Sequence, residues 1–308
     1  QTHPGCGIVS AALAMAERER RGGTAFLRAV ALGYDVGTRF TMSLNAYEFR
    51  EEGHSTHSFG PTFGAAAAAG SLIRVDARQA RHLVTYAGQQ ASGVGSWVGD
   101  LEHIEKAFDF GGMPARNGVT AASFLRHSFT ATDDIFQGPR NFAMAYGTAE
   151  RPMNIDELTR DLGSTYEIMR TNIKRWSVGS PIQAPLDSLL ELIREHGVTA
   201  DDVRHVEVRV APAAATTTDN RLMPDICMQH MCAVMIVDGI VTFESAHDEP
   251  RMHDARVLDV RRRIDLVKDE ELQKVFPSRQ GIVTLTLSDG RSLRHHTRAV
   301  RGTDENPM

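Results

Sequence analysis

The feature that most constrains this chain is a change of pattern part-way along it. From Ser10 to about Tyr146 the apolar residues recur at helical spacing, in "AALAMAERERRG", "TAFLRAVALGYDVGTRF", "GAAAAAGSLIRV", "ARQARHLVTYAGQQASG" and "VTAASFLRHSF". Alanine, leucine and methionine dominate and β-branched runs are absent. Small residues at i, i+3 and i+4 let helices approach closely, which predicts a compact all-α bundle. Gly22-Gly23, Gly53 and Gly70 are expected at the breaks between helices. After about Thr171 strands and helices mix. "PLDSLLELIREHG" reads as an amphipathic helix, "VRHVEVRVA" as an alternating strand and "VLDVRRRIDLVKD" as a strand-rich segment. "GIVTLTLSDGRSLRHHTRAV" reads as a hairpin turning at Asp289-Gly290, and a helix over Met228 to Val237 follows the Pro224-Asp225 start signal. The expected fold class is therefore α+β: a large all-α domain over 1–171, then a smaller α+β domain over 172–308.

The bulk numbers exclude several roles. A chain of 308 residues with 42% hydrophobic content can bury one large core or two ordinary ones. A net charge of -5, with Lys and Arg scattered apart from Arg261 to Arg263, gives no global basic field, so nucleic acid is not expected as a partner. No apolar stretch approaches the roughly 20 residues that cross a bilayer and no leader opens the chain, so no membrane role and a cytoplasmic location are expected. Cys6, Cys227 and Cys232 form no C-x-x-C pair, which argues against a disulfide framework, structural zinc or an iron–sulfur cluster. Chemistry without metal or cofactor is expected. With no initiating Met and a turn-like ending, "GTDENPM", the chain is expected to be cut at both ends.

The commonest catalytic signatures are missing. "GVGSWVG" has the wrong spacing for a dinucleotide loop, and neither G-x-S-x-G nor H-E-x-x-H occurs. What remains are polar residues beside glycine, proline or helix starts: His3 in "THPGCG", His54 and His57 in "GHSTHSFGPTFG", Lys106 in "EKAFDFGG", Lys174 and Arg175 in "NIKRWSVGSPIQAP", and His230 in "MQHMCAV". Histidines for proton transfer and lysines for charge, at positions where free backbone N–H groups gather, suit a substrate bearing carboxylates. Each residue has a plainer reading as well. A histidine at a helix start is often only a cap, Lys106 after "EHIE" fits a solvated helix face, and Lys174-Arg175 fits an exposed linker. His247, His253, His295 and His296 are assigned to surface loops or strands, and Met223, Met228, Met231 and Met235 to packing.

Taken in order, "THPGCGIVSAALA", "GHSTHSFGPTFGAAAAAGSL", "YAGQQASG", "KAFDFGGMPARNGVTAASFL", "IKRWSVGSPIQAPLDSL", "NRLMPDICMQHMCAVMIVDG", "LSDGRSL" and "GTDENPM" resemble the MmgE/PrpD family. That family includes 2-methylcitrate dehydratase, cis-aconitate decarboxylase and iminodisuccinate epimerase. The resemblance implies a helical domain with a smaller α+β lid, an active site between them, and a homodimer. It implies a cofactor-independent lyase, a dehydratase of the 2-methylcitrate type acting on a small hydroxy-polycarboxylate. An epimerase, isomerase or decarboxylase on a related substrate, or a binding-only fragment, are the alternatives. By resemblance His3, His54, Lys106 and Lys174 would be catalytic, with His57 a rival to His54. His57, Arg175, Gln183 and His230 would bind substrate, and no metal ligands are implied. Asp109 stands where the family's K-x-L-H-x-G pattern places histidine, "SVGSPIQAP" lacks the histidine of many relatives, and the family's Asp-containing segment would lie before Gln1.

Overall fold

A computed structural model describes residues 2–308. The chain divides into two compact units, Gln1–Met169 and Arg170–Met308.

The first unit is helical: α1 (Pro4–Arg18), α2 (Gly23–Ser43), α3 (Ala46–Glu51), α4 (Thr56–Ile73), α5 (Ala77–Gln90), α6 (Ile104–Ala107), α7 (Met113–Arg126) and α8 (Phe142–Tyr146). Helix α4 is its axis. Almost every residue from Thr56 to Leu72 is buried, and the helix packs on α1, α2, α5 and α7. A surround of that kind needs small residues. A Cβ on Gly60 would lie 2.0 Å from Thr41 Oγ1 and 2.3 Å from the Gly37 carbonyl, and one on Gly64 would lie 2.5 Å from the Gly33 carbonyl. Gly70, expected at a helix break, instead lies inside α4, which ends at Arg74 in the left-handed region (φ 61°). Packing is the reason: a Cβ on Gly70 would meet Leu83 Cδ2 at 2.4 Å.

From 127 to 169 the chain is mostly irregular, and buried arginines tie it to the helices. Arg39, paired with Asp35 at 3.2 Å, donates to the carbonyls of Glu157, Arg160 and Thr165. Arg151 pairs with Glu52 and donates to the carbonyls of Leu44 and Tyr146. Each guanidinium satisfies backbone acceptors that no helix or sheet satisfies.

The second unit contains α9 (Gln183–His196), β1 (Val203–Val210), α10 (Pro212–Thr218), α11 (Met228–Asp238), α12 (Phe243–Ala246), α13 (Ala255–Arg261), β2 (Ile264–Lys268), α14 (Glu270–Lys274), β3 (Gly281–Leu287) and β4 (Ser292–Thr297). The sheet order is β2-β1-β3-β4. β1 and β2 run parallel, with Val206 opposite Ile264, and the other pairs are antiparallel. Leu186, Leu189 and Leu192 of α9 and Met228, Met231 and Met235 of α11 share one core with Val206, Val208 and Leu285. The stretch expected to be strand-rich is half helix. Asp254 caps α13 by accepting the Val257 N–H, which lets Val257 and Val260 bury at i, i+3 before β2 begins. Among the described residues no helix is long and apolar enough to cross a membrane.

Candidate active site

Two helix starts in the first unit bring histidines into contact. His3 occupies the position before Pro4, which fits the first helical turn because it has no N–H to leave unpaired. His57 lies in the first turn of α4, where paired backbone segments set the start: Ser55 N–H reaches the Gly93 carbonyl at 3.1 Å and Gly95 N–H the Gly53 carbonyl at 2.9 Å. His3 Nδ1 and His57 Nδ1 are 3.0 Å apart. Phe110 stacks on His57 with centroids 3.9 Å apart, and on His3 at 5.1 Å. Trp97 meets His57 edge-on at 5.3 Å.

Phe110 and Asp109 come from a π turn, Phe108–Gly112, between α6 and α7. A π turn inserts an extra residue into a helix and is common at functional sites. On the preceding turn, Lys106 Nζ lies 5.7 Å from the Phe110 centroid and 3.0 Å from His103 Nε2. His103 holds a left-handed backbone (φ 58°), rare for a residue with a side chain. Asp109 is buried and accepts the Ser55 hydroxyl, whose oxygen accepts Trp97 Nε1–H at 3.2 Å. Burial raises the Asp109 carboxyl above the usual range, opposed by the hydroxyls of Ser55 and Ser58. Gly93 closes over this network: at φ +143°, its Cβ would lie 1.9 Å from Ser58 Oγ.

His57 is pushed down to about 2, chiefly by burial, then by the positive potential of His3, Lys106 and Arg50. It is neutral at ordinary pH. A neutral His57 ring carries one N–H, so within the Nδ1–Nδ1 contact it either donates to His3 or accepts from it.

His54 is placed differently. Its ring contacts are with Phe49 (stacked, 4.1 Å), Phe59 (5.7 Å) and Tyr146 (6.4 Å), and burial lowers its pKa. His57, rather than His54, touches His3.

In the second unit Lys174 and Arg175 precede the buried Trp176. Arg175 lies over the Trp176 ring at 4.7 Å and 3.7 Å from Asp187 Oδ1. Gln183, at the start of α9, accepts Trp176 N–H at 3.1 Å and donates to the carbonyls of Trp176 (2.8 Å) and Val178 (3.3 Å), so its amide is committed to holding that segment. His230 is fully buried in α11 with neither ring nitrogen hydrogen-bonded, and burial, with Arg261 and Arg251 adding, pushes it down to about 4.

The structure thus gathers His3, His57 and Lys106 around Phe110 and groups Arg175 with Gln183 around Trp176, while His230 lies in the core of the second unit. Trp97, His103 and Phe110 were not singled out by sequence reasoning. A histidine three residues before Lys106 was the legible hint for His103. Nothing local marked the other two.

A helical unit with paired histidines at two helix starts, joined to a unit built on a four-stranded mixed sheet, defines a class of protein that family comparison makes specific. The MmgE/PrpD N-terminal domain matches residues 1–153 and the MmgE/PrpD C-terminal domain matches residues 176–308. The chain belongs to the MmgE/PrpD family. Members are typically enzymes, dehydratases, decarboxylases and epimerases among them, and membership supports an enzyme of the lyase type in general. A comparison with curated proteins gave no match.

Proposed function

We propose that the chain is a lyase that removes water from a small hydroxy-polycarboxylate by abstracting a proton alpha to a carboxylate. The observation that carries this reading is the 3.0 Å contact between His3 and His57. Elimination of water needs a base for the C–H proton and an acid for the departing hydroxyl. The C–H electron pair becomes the new C=C bond, and the C–O bond breaks as water leaves. Two imidazoles in contact supply a candidate for each role. Burial and neighbouring cations hold the basicity of His57 down. A bound carboxylate opposes that potential and raises the pKa towards neutrality, so proton abstraction is coupled to substrate binding.

Lys106 is the proposed carboxylate anchor beside the pair, since charge that builds on the carboxylate during deprotonation needs a fixed cation facing it. Lys174 is assigned carboxylate binding by the resemblance. The expected assembly is a homodimer, which sedimentation would test.

Absorbance of a new conjugated double bond, followed over a panel of di- and tricarboxylates, tests the reading. Growth is expected with one hydroxy-polycarboxylate. His57→Gln is expected to lower kcat by about 100- to 10,000-fold, and Lys106→Ala to act mainly through KM. Loss of optical rotation without absorbance would replace the lyase by an epimerase. Full turnover in His57→Gln would remove the histidine pair from the chemistry.

A further inference from the structure

We infer that the second unit carries a binding site for a small polyanion, a molecule with two or more phosphate or carboxylate charges, in a cleft made wholly by that unit. The cleft has a volume of about 720 Å³, which suits a compact ligand. Arg175, Arg194, Arg298 and Arg301 line it, with His295 and His296 beside them, against the two carboxylates Asp187 and Glu191. Arginines outnumber acids two to one here, in a chain whose net charge is -5.

Glu191 opposes this field, but Asp187 does so only in part. Asp187 is already engaged: Oδ1 accepts Trp176 Nε1–H at 2.9 Å with Arg175 3.7 Å away, and Oδ2 accepts the Arg301 backbone N–H at 3.0 Å. Among the described residues no carboxylate pairs with Arg194 or Arg298. Unpaired guanidinium groups sharing one concavity repel each other, and an anion able to accept from two of them relieves that repulsion.

The walls are fixed rather than draped. Ile173 N–H reaches the Gly302 carbonyl at 2.8 Å, Gly302 N–H the Asn306 carbonyl at 2.7 Å, and Asn306 Nδ2 the Ala299 carbonyl at 3.0 Å. Gly302 has φ +96°, and a Cβ there would lie 1.9 Å from the Ile173 carbonyl, so only glycine permits this crossing. The segment presenting Arg298 and Arg301 is therefore tied both to the chain before Arg175 and, through Asp187, to the helix bearing Arg194. Little backbone ordering is left for a ligand to supply.

Arg194 and Arg298 have no part in the proposed reaction, so they isolate the cleft. Calorimetric titration of the full chain with inorganic pyrophosphate, and separately with benzenehexacarboxylate, which has neither the hydroxyl nor the alpha C–H of the proposed substrate, distinguishes a phosphate-bearing from a carboxylate-bearing ligand. One ligand per chain is expected, with affinity falling as salt rises. Arg194→Glu with Arg298→Glu is expected to weaken binding at least tenfold, while His57→Gln leaves it intact. The Gln versions of both arginines, checked by circular dichroism, repeat the test with less change of charge. No binding of either anion, or unchanged affinity in the folded double variants, would overturn the assignment. Neither result bears on the turnover of the histidine pair.

Discussion

The two units solve the packing problem in opposite ways. In the first, backbones touch: Gly33, Gly37, Gly60 and Gly64 line the contact between α2 and α4, and Gly118 of α7 would place a Cβ 2.5 Å from Ala65. In the second, long side chains interdigitate between helices and sheet, with Leu186, Leu189, Met228, Met231, Val206 and Leu285 all unexposed. The difference shows where each unit is vulnerable. The glycine-lined contact between α2 and α4 has no space to gain, although the first unit also buries Phe49, Phe59 and Phe63 around it, whereas a core of leucine, methionine and valine is weakened by any deletion.

The largest effect is expected from deletion in the second unit. Leu189→Ala removes a fully buried side chain from that core, and a loss of about 2–5 kcal/mol is expected in denaturant unfolding. The counterpart in the first unit is an addition. Gly60→Ala drives a methyl against Thr41 and the Gly37 carbonyl, and a loss of about 1–3 kcal/mol is expected, at the upper end because the obstacle is backbone. Stability unchanged in Gly60→Ala would break the contrast outright.

Acid sharpens it further, since each unit buries one strongly depressed histidine: His57, at about 2, and His230, at about 4. In the unfolded chain both titrate near 6.5, so below that pH the unfolded state binds more protons and stability falls. For His230 the loss runs from about 6.5 to about 4, and for His57 it continues to about 2. Melting temperature against pH should therefore be flatter in His230→Gln than in the unaltered chain down to about pH 4. In His57→Gln it should also be flatter below that, compared at each pH so that the carboxylates cancel. Parallel curves for His57→Gln and the unaltered chain below pH 4 would show that His57 is not the buried neutral group described.

The same contrast explains what was legible. The helices of the first unit, the strand Val203–Val210 and the Asp289-Gly290 turn follow from periodicity and turn chemistry, which act within a few residues. The stretch from 127 to 169 was not legible, because Arg39 and Arg151 hold it through bonds to residues about a hundred positions away. Helix α13 was misread because valine favours strands, and one Asp254 cap outweighs that preference. At the site, the resemblance pointed to His3, His54, Lys106 and Lys174, with His57 a rival to His54. That the histidine meeting His3 is His57 depends on how the chain enters α4, which the pairing of 53–55 with 93–95 decides.

The smallest expected effect tests whether the contrast is confined to the cores. Each unit has a reciprocal capping box. In α5, Asp76 Oδ1 accepts Gln79 N–H at 2.8 Å while Gln79 Oε1 accepts Asp76 N–H at 3.0 Å. In α12, Thr242 Oγ1 accepts Ser245 N–H at 3.1 Å while Ser245 Oγ accepts Thr242 N–H at 2.9 Å. Caps act on exposed backbone groups in the first turn, so their worth is set by local geometry and not by what lies beneath the helix. Asp76→Ala should therefore cost about 1 kcal/mol, the usual value for a lost cap. Thr242→Ala should cost less, because α12 is a single turn of four residues whose own unfolding already relieves the lost bond. Paired chemical-denaturation curves would measure both. A cap loss of several kcal/mol in either unit would mean that the helix start is coupled to its core, and the division between close-packed backbones and interdigitated side chains would no longer account for how each unit is held together.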